Sequence, residues 1–467
     1  MLHHVAKGVS ADADPVTPDE DHALRAAFGR YGGSATARMA AMPVVARYQT
    51  LGAGRWFLCD CRPGVERRPA LIPVALTHIR RHDDPRWSRH AEGCEFNRDP
   101  DEQREIIASH RRPGARPFRL ARRFTPLWTS AFNREVKACS QASKRPGLAK
   151  LLLTVMESAG LQTVPAGRPP PPVPEQVAAI WKAAKTLELD EAVRVTDFLC
   201  TGIAQYPAFL ERIRLTDPGV FAHTRPHGIL LLRLVGIGTG SIQPVSGPAL
   251  PVIGRLAVFG EDAADATRAR APYLAACLVS QIEADGAIGI VSAYVHPCAS
   301  KAHLMLVDSD AERRTLAQLQ SVQIWLQRED SIEATIDKPL FDVGPETGPE
   351  DQPRPSCVPD FVVRGGGRTV IVETMGYADE DYRTRKVRVH MALSAALAGA
   401  PVVEHDFHLP VSWEQDWRDK RFRRDVRQVV SGGARRGLAG SGGRPAPGRR
   451  AGRNDGVRSP ECAALPR

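Results

Sequence analysis

Pro359-Asp-Phe-Val-Val-Arg-Gly-Gly-Gly-Arg-Thr-Val-Ile-Val-Glu-Thr-Met-Gly376 decides how this chain reads. Short runs of Val, Ile, Phe and Thr stand on either side of Gly365, Gly366 and Gly367. β-Branched and aromatic runs flanking a glycine turn predict a β-hairpin. Asp360 opens the first strand, and Glu373 lies near the end of the second, 13 positions later. A hairpin doubles the chain back, so both acids can reach one point at the strand ends. Two carboxylates there, with water and a phosphate oxygen, make the hard oxygen donor set that suits Mg²⁺. Such an ion would neutralise a scissile phosphate and lower the pKa of a bound water.

Working outward, residues 308–325 read as a helix opened by the capping sequence Asp308-Ser-Asp-Ala-Glu. A strand follows over 331–342 and a polar loop over 343–356. Beyond the hairpin, 379–393 reads as a helix with an acidic first turn and a basic body, and 401–406 as a last strand. This helix-strand-strand-strand-helix-strand order, with Pro359-Asp360, Val372-Glu373-Thr374-Met375 and the Tyr382-Arg-x-Arg-Lys helix, resembles the core of the PD-(D/E)XK nuclease superfamily. That is the restriction-endonuclease-like fold, and the likeness covers roughly 310–410.

The resemblance implies Mg²⁺-dependent phosphodiester hydrolysis with Asp360 and Glu373 as metal ligands. Members of the superfamily often read E-x-K, but here Met375 stands where the lysine is usual. Some members recruit that lysine from the following helix, which makes Lys386 the first candidate and Lys338, on the preceding strand, the second. Its ammonium would orient the attacking water and stabilise the charged transition state. Glu312, on the first helix, matches the place of a third acid. Arg383, Arg385, Arg388 and His390 could contact phosphate, or form a solvated helix face.

A second constellation lies near the front. Cys59-Asp-Cys61 follows a strand-like run, and His90-Ala-Glu-Gly-Cys94 begins 29 positions beyond Cys61. Cys59, Cys61, His90 and Cys94 make a Cys3His set, a familiar tetrahedral Zn²⁺ complement that would be structural, because four protein ligands leave no open position. His90-x3-Cys94 fits one turn of helix, and His78 and His82 are competing ligands. Few large apolar residues surround the set, so a metal would supply stability that packing does not. Separate buried cysteines and surface histidines are the other reading. The Cys-x-Cys half resembles SWIM-type zinc fingers, although those end Cys-x-His. Most of 45–425 also resembles an uncharacterised bacterial domain-of-unknown-function family that joins a Cys/His segment to a PDF and Glu-x-Met-Gly-Tyr segment.

The chain of 467 residues carries 63 Lys+Arg against 53 Asp+Glu, a formal charge of +10. Residues 418–453 hold 12 Lys/Arg and 2 acids, which equals the whole excess. Residues 101–150 are a second basic stretch, with 12 Lys/Arg against 4 acids. Basic stretches attract polyanions by counterion release, so nucleic acid is the default partner. An odd count of 9 cysteines and no visible secretory signal argue for a reducing, cytoplasmic setting. The most apolar run, 228–238, is broken by Arg233 and glycines, so no membrane association is expected. No G-x-S-x-G or Walker sequence is present, which removes the common serine-hydrolase and ATP-site readings.

The expected fold class is mixed α/β (α+β) and multi-domain. Residues 1–40 read as a loosely ordered lead-in, and 41–163 as the N-terminal module with the Cys3His set and strands over 43–49 and 55–59. Residues 164–174 read as a proline-rich linker and 175–307 as a mixed α/β region with a helix over 271–282. Residues 308–430 are the nuclease-like domain, and 431–467 a disordered Gly/Arg-rich tail. The expected function is a bacterial DNA-processing, Mg²⁺-dependent nuclease. The alternative is a catalytically degenerate nuclease fold that binds nucleic acid, as part of a mobile-element system.

Overall fold

The computed structural model describes residues 1–7, 13–29, 35–52, 54–65, 67–74, 76–82, 87, 89–91, 93–97, 108–121, 136–139, 144–259, 271–282, 287–344, 357–375, 380–407 and 413–432. Half of the 101–150 basic stretch and the whole of 433–467 lie outside them. Within Met1–Gly432 the described residues form one compact unit of mixed α and β structure.

The N-terminal sheet has five antiparallel strands in the order Asp14–Pro15, Leu2–Ala6, Arg55–Cys59, Ala70–Val74, His78–Arg81. The expected loose lead-in is therefore corrected. Leu2 and Val5 are buried core residues, and Thr17 caps the helix Pro18–Phe28 in a full capping box. The expected strand over 43–49 is also corrected, because these residues lie within the helix Ala35–Thr50. Ala41, Val45 and Tyr48 are its buried residues, a three-to-four spacing that belongs to a helix face, not to a strand.

The middle of the chain builds a larger sheet around His227–Gly238, Leu250–Phe259, Tyr273–Gln281 and Ile288–Pro297. Its pairings return on themselves through the short strand Ser241–Pro244. Residues 271–282, expected as a helix, instead supply the strand Tyr273–Gln281. Every residue from Tyr273 to Ser280 is buried. Such a two-sided run shows neither period, and its alanines suggest a helix when read alone. The helices Gly147–Ser158 and Val173–Ala184 pack on this core through Leu151, Leu152, Val155 and Ile180.

The C-terminal part runs helix Asp310–Asp330, strand Ala334–Asp337, strand Phe361–Gly365, strand Arg368–Met375, helix Glu380–Ala396, strand Val402–Asp406 and helix Trp413–Ser431. The first three strands are antiparallel, and Val402–Asp406 pairs parallel to Arg368–Met375. Gly366 and Gly367 turn the hairpin with φ of 56° and 71°, the left-handed pair that a two-residue loop requires. Side chains alternate across the sheet. Val370 and Val372 face Leu316, Leu319, Phe422 and Val426 of two helices. Ile371 faces the other way, against Leu393 of the helix Glu380–Ala396. A fifth strand, Thr163–Val164, joins this sheet beside Ala334–Asp337, from a point in the chain before the middle sheet. No helix of the described residues is long and apolar enough to cross a membrane.

Candidate functional site

The hairpin places Asp360 and Glu373 side by side. The Asp360 backbone N–H donates to Glu373 Oε1 at 3.1 Å, and the Thr374 N–H donates to Asp360 Oδ2 at 2.7 Å. Glu373 shares a face with Ile371, so it meets the helix Glu380–Ala396, where Lys386 Nζ lies 2.6 Å from Glu373 Oε2. His390, one turn on, lies 3.8 Å from Glu373 through Nε2 and 3.4 Å from Glu404 through Nδ1. Burial and the neighbouring Asp360 push the Glu373 carboxyl up to about 7, against the pull of Lys386.

A second half of the site opens from Asp360 toward the first helix. Oxygens of Asp308, Glu312 and Asp360 lie within 4.8 Å of one another. Ser309 caps this helix, and Glu312 turns back to accept the Asp308 N–H at 2.9 Å. Lys338, 1% exposed, sits between them, its Nζ 3.0 Å from Glu312 and 3.3 Å from Asp308. Burial alone would lower the Lys338 pKa, but the two carboxylates outweigh it and hold the ammonium charged. Burial would raise Asp308, yet Lys338 and His296 hold it well below the usual range. Glu312 rises well above the usual range, through burial and the Asp308 charge.

All five residues singled out in the C-terminal sequence, Asp360, Glu373, Lys386, Lys338 and Glu312, thus converge. Met375, in the usual lysine position, is buried. Arg383 pairs with Asp406 at 2.6 Å. The side chains of Arg385 and Arg388 lie outside the described residues. Asp308 was not anticipated as a site residue. Its spacing of four from Glu312 on a helical stretch is a signal that could have found it. His296, which faces Asp308, has no such signal, because it stands in an apolar strand.

The N-terminal set also converges. Cys59 Sγ is 3.6 Å from Cys94 Sγ, and His90 Nδ1 is 3.5 Å from Cys61 Sγ and 3.3 Å from Cys94 Sγ. A tetrahedral zinc ion sets such donor atoms roughly 3.5–3.8 Å apart, so the donor chemistry and spacing fit. Burial pushes the Cys59 thiol up and draws His90 down to about 4, leaving uncharged ligands that a cation could deprotonate and bind. Two expectations are corrected here. The described residues His90, Ala91, Gly93 and Cys94 are not helical, and the set packs against Leu2, Leu24, Phe57 and Phe96 in a substantial apolar core. His78 is exposed and His82 packs its ring on Trp56 and Trp87; neither belongs to the Cys/His group.

Residues 308–429 match the family model of the restriction endonuclease-like C-terminal domain, so the C-terminal part of this chain is restriction-endonuclease-like. Residues 2–100 and 119–298 match two domains of unknown function, DUF8534 and DUF8535. The chain is similar to an uncharacterized protein in the cib 5′ region of Escherichia coli, 37% identical over 116 residues, which are 24% of this chain and 52% of that protein. The chain thus spans about half the length of that relative. No solved structure matches.

Proposed function

We propose that this chain is a divalent-metal-dependent nuclease that hydrolyses phosphodiester bonds in DNA within a bacterial cytoplasm. The observation that carries the reading is the meeting of Asp308, Glu312, Asp360 and Glu373 with two lysines at the end of a hairpin in a restriction endonuclease-like domain. The helix-strand-strand-strand-helix-strand order supports it. Asp360 and Glu373 would hold Mg²⁺, with Glu312 and Asp308 completing an all-oxygen donor set. Bound there, the ion would screen the phosphate charge and acidify a water.

The chain's own groups do the remaining work. Lys386, one-fifth exposed, can place its ammonium beside both Glu373 and an incoming phosphate, the role left open by Met375. Lys338 is too buried for that task and holds the acids together. The helix Trp413–Ser431 supports a nucleic-acid partner, since Trp417, Lys420, Arg421 and Arg424 are exposed at helical spacing. Arg421 lies over the Trp417 ring at 5.6 Å. Aromatic and basic groups together suit stacked bases and phosphates. Cys59, Cys61, His90 and Cys94 would hold a structural Zn²⁺.

The test is cleavage of plasmid, linear and single-stranded DNA with Mg²⁺ or Mn²⁺, beside Glu373→Ala. Cleavage lost in the variant is expected; cleavage retained there would sink the assignment. A second reading, a degenerate nuclease fold that only binds nucleic acid, is favoured by Lys338, whose ammonium already compensates Asp308 and Glu312. Binding without cleavage or metal uptake would select it.

A further inference from the structure

We propose that His296, from the middle sheet, is a positioning residue for the acidic site, so that the site is built jointly by the middle and C-terminal parts of the chain. The inference rests on the metal-site reading above and gives the middle region a role.

His296 ends a line of buried polar groups. The Tyr294 hydroxyl lies 2.8 Å from His296 Nδ1, and His296 Nε2 lies 3.3 Å from Asp308 Oδ1. The ring is 3% exposed and stacks on Phe259 at 4.4 Å between centroids. A carboxylate can only accept, and Nε2 comes to 3.3 Å of Asp308 Oδ1 without an aligned hydrogen bond, while the Tyr294 hydroxyl contact at Nδ1 and the stacking on Phe259 hold the ring in place. That arrangement fixes the ring orientation. With Oδ1 facing His296, Asp308 turns Oδ2 toward Lys338, on the side of Glu312 and Asp360. Partners of this kind orient ligating carboxylates and set metal affinity.

The junction around this line is built to hold register. Arg313, one residue after Glu312, donates to the carbonyls of Cys298 at 2.7 Å and Pro272 at 3.0 Å, both belonging to the middle part. Arg145 donates to the Leu340 carbonyl at 2.7 Å, just beyond Lys338. A shift of the middle sheet against the helix Asp310–Asp330 would therefore move Asp308 as well.

The experiment is a Mn²⁺ titration of the full chain by calorimetry, with Asp360→Asn, His296→Leu, His296→Gln and Tyr294→Phe, each checked for folding by circular dichroism. Wild type should bind Mn²⁺ at a site that Asp360→Asn abolishes. His296→Leu should weaken it by about tenfold or more. His296→Gln, which keeps an N–H donor near the place of Nε2, should recover most of the affinity. Tyr294→Phe, which keeps the ring, should weaken it by a smaller factor. Wild-type affinity in folded His296→Leu, or equal losses in the Leu and Gln variants, would overturn the positioning role while the metal reading stands. Absence of any binding sensitive to Asp360→Asn would overturn both.

Discussion

Lys386 Nζ lies 2.6 Å from Glu373 Oε2, although one stands on a helix and the other on the hairpin's second strand. Lys338 makes a comparable contact with Glu312 at 3.0 Å, but with 1% exposure against one-fifth for Lys386. The two lysines should therefore respond differently to removal. Lys386→Ala should lower cleavage on the order of 10²-fold or more, with a smaller loss of stability, since the one buried carboxyl it leaves, Glu373, readily takes up a proton. Lys338→Met should instead cost about 3–5 kcal/mol of stability, because it strands buried carboxylates. Cleavage rates and melting curves of both variants check this, and the reverse pattern would exchange their roles.

The Glu373 carboxyl, raised from 4.5 to about 7, makes metal binding proton-linked. Between those values the folded metal-free protein binds more protons than the unfolded chain, so its stability falls as pH rises through that window. A metal needs the carboxylates, so Mn²⁺ affinity should rise by roughly tenfold per pH unit or more below about 7, where Glu373 and the raised Glu312 give up their protons. An affinity independent of pH from 5 to 8 would contradict the shift.

The Cys3His set should hold one zinc ion per chain in metal analysis. Cys61→Ser, at the most exposed of the four ligands, should lose it. Chelation of the wild type should make Cys61 react with a thiol reagent and lower the melting temperature of the N-terminal part. Unchanged thiol reactivity after chelation would argue for a packed, metal-free cluster.

A buried line also ties the last helix to the hairpin. His405 Nδ1 lies 2.9 Å from the Thr315 hydroxyl, and Nε2 lies 3.0 Å from Asp419. Thr315 in turn touches Thr374, next to Glu373, at 3.0 Å. Thr315→Val should cost about 1–3 kcal/mol, through the unpaired His405 nitrogen. A calorimetric melt reads this; a neutral change would mean that water replaces the hydroxyl.

The hairpin and its acids were legible because glycine chemistry and the two-residue strand period are local. Glu312 and the lysines were reachable because a known order of elements says which faces meet. The Cys/His set was legible from ligand type alone, but its apolar setting was not, since Leu2 and Leu24 come from distant segments. The strand Tyr273–Gln281 was misread because burial on both faces erases periodicity. His296 was invisible for a related reason, as its meaning depends on Asp308 lying across a junction that no local pattern encodes.

Thr163 and Val164 enter the C-terminal sheet before the chain has laid down the middle sheet, and the hairpin arrives only afterwards. The two parts are thus threaded through each other, not strung in series. During synthesis the Thr163–Val164 edge must wait for Ala334–Asp337 to emerge, so this sheet cannot close until late. A recombinant fragment starting near residue 300 would carry the whole acidic set yet leave the Ala334–Asp337 edge bare. Such an edge invites pairing with another copy. Inheritance is constrained in the same way, because exchanging the C-terminal part alone between relatives would separate a strand from its sheet.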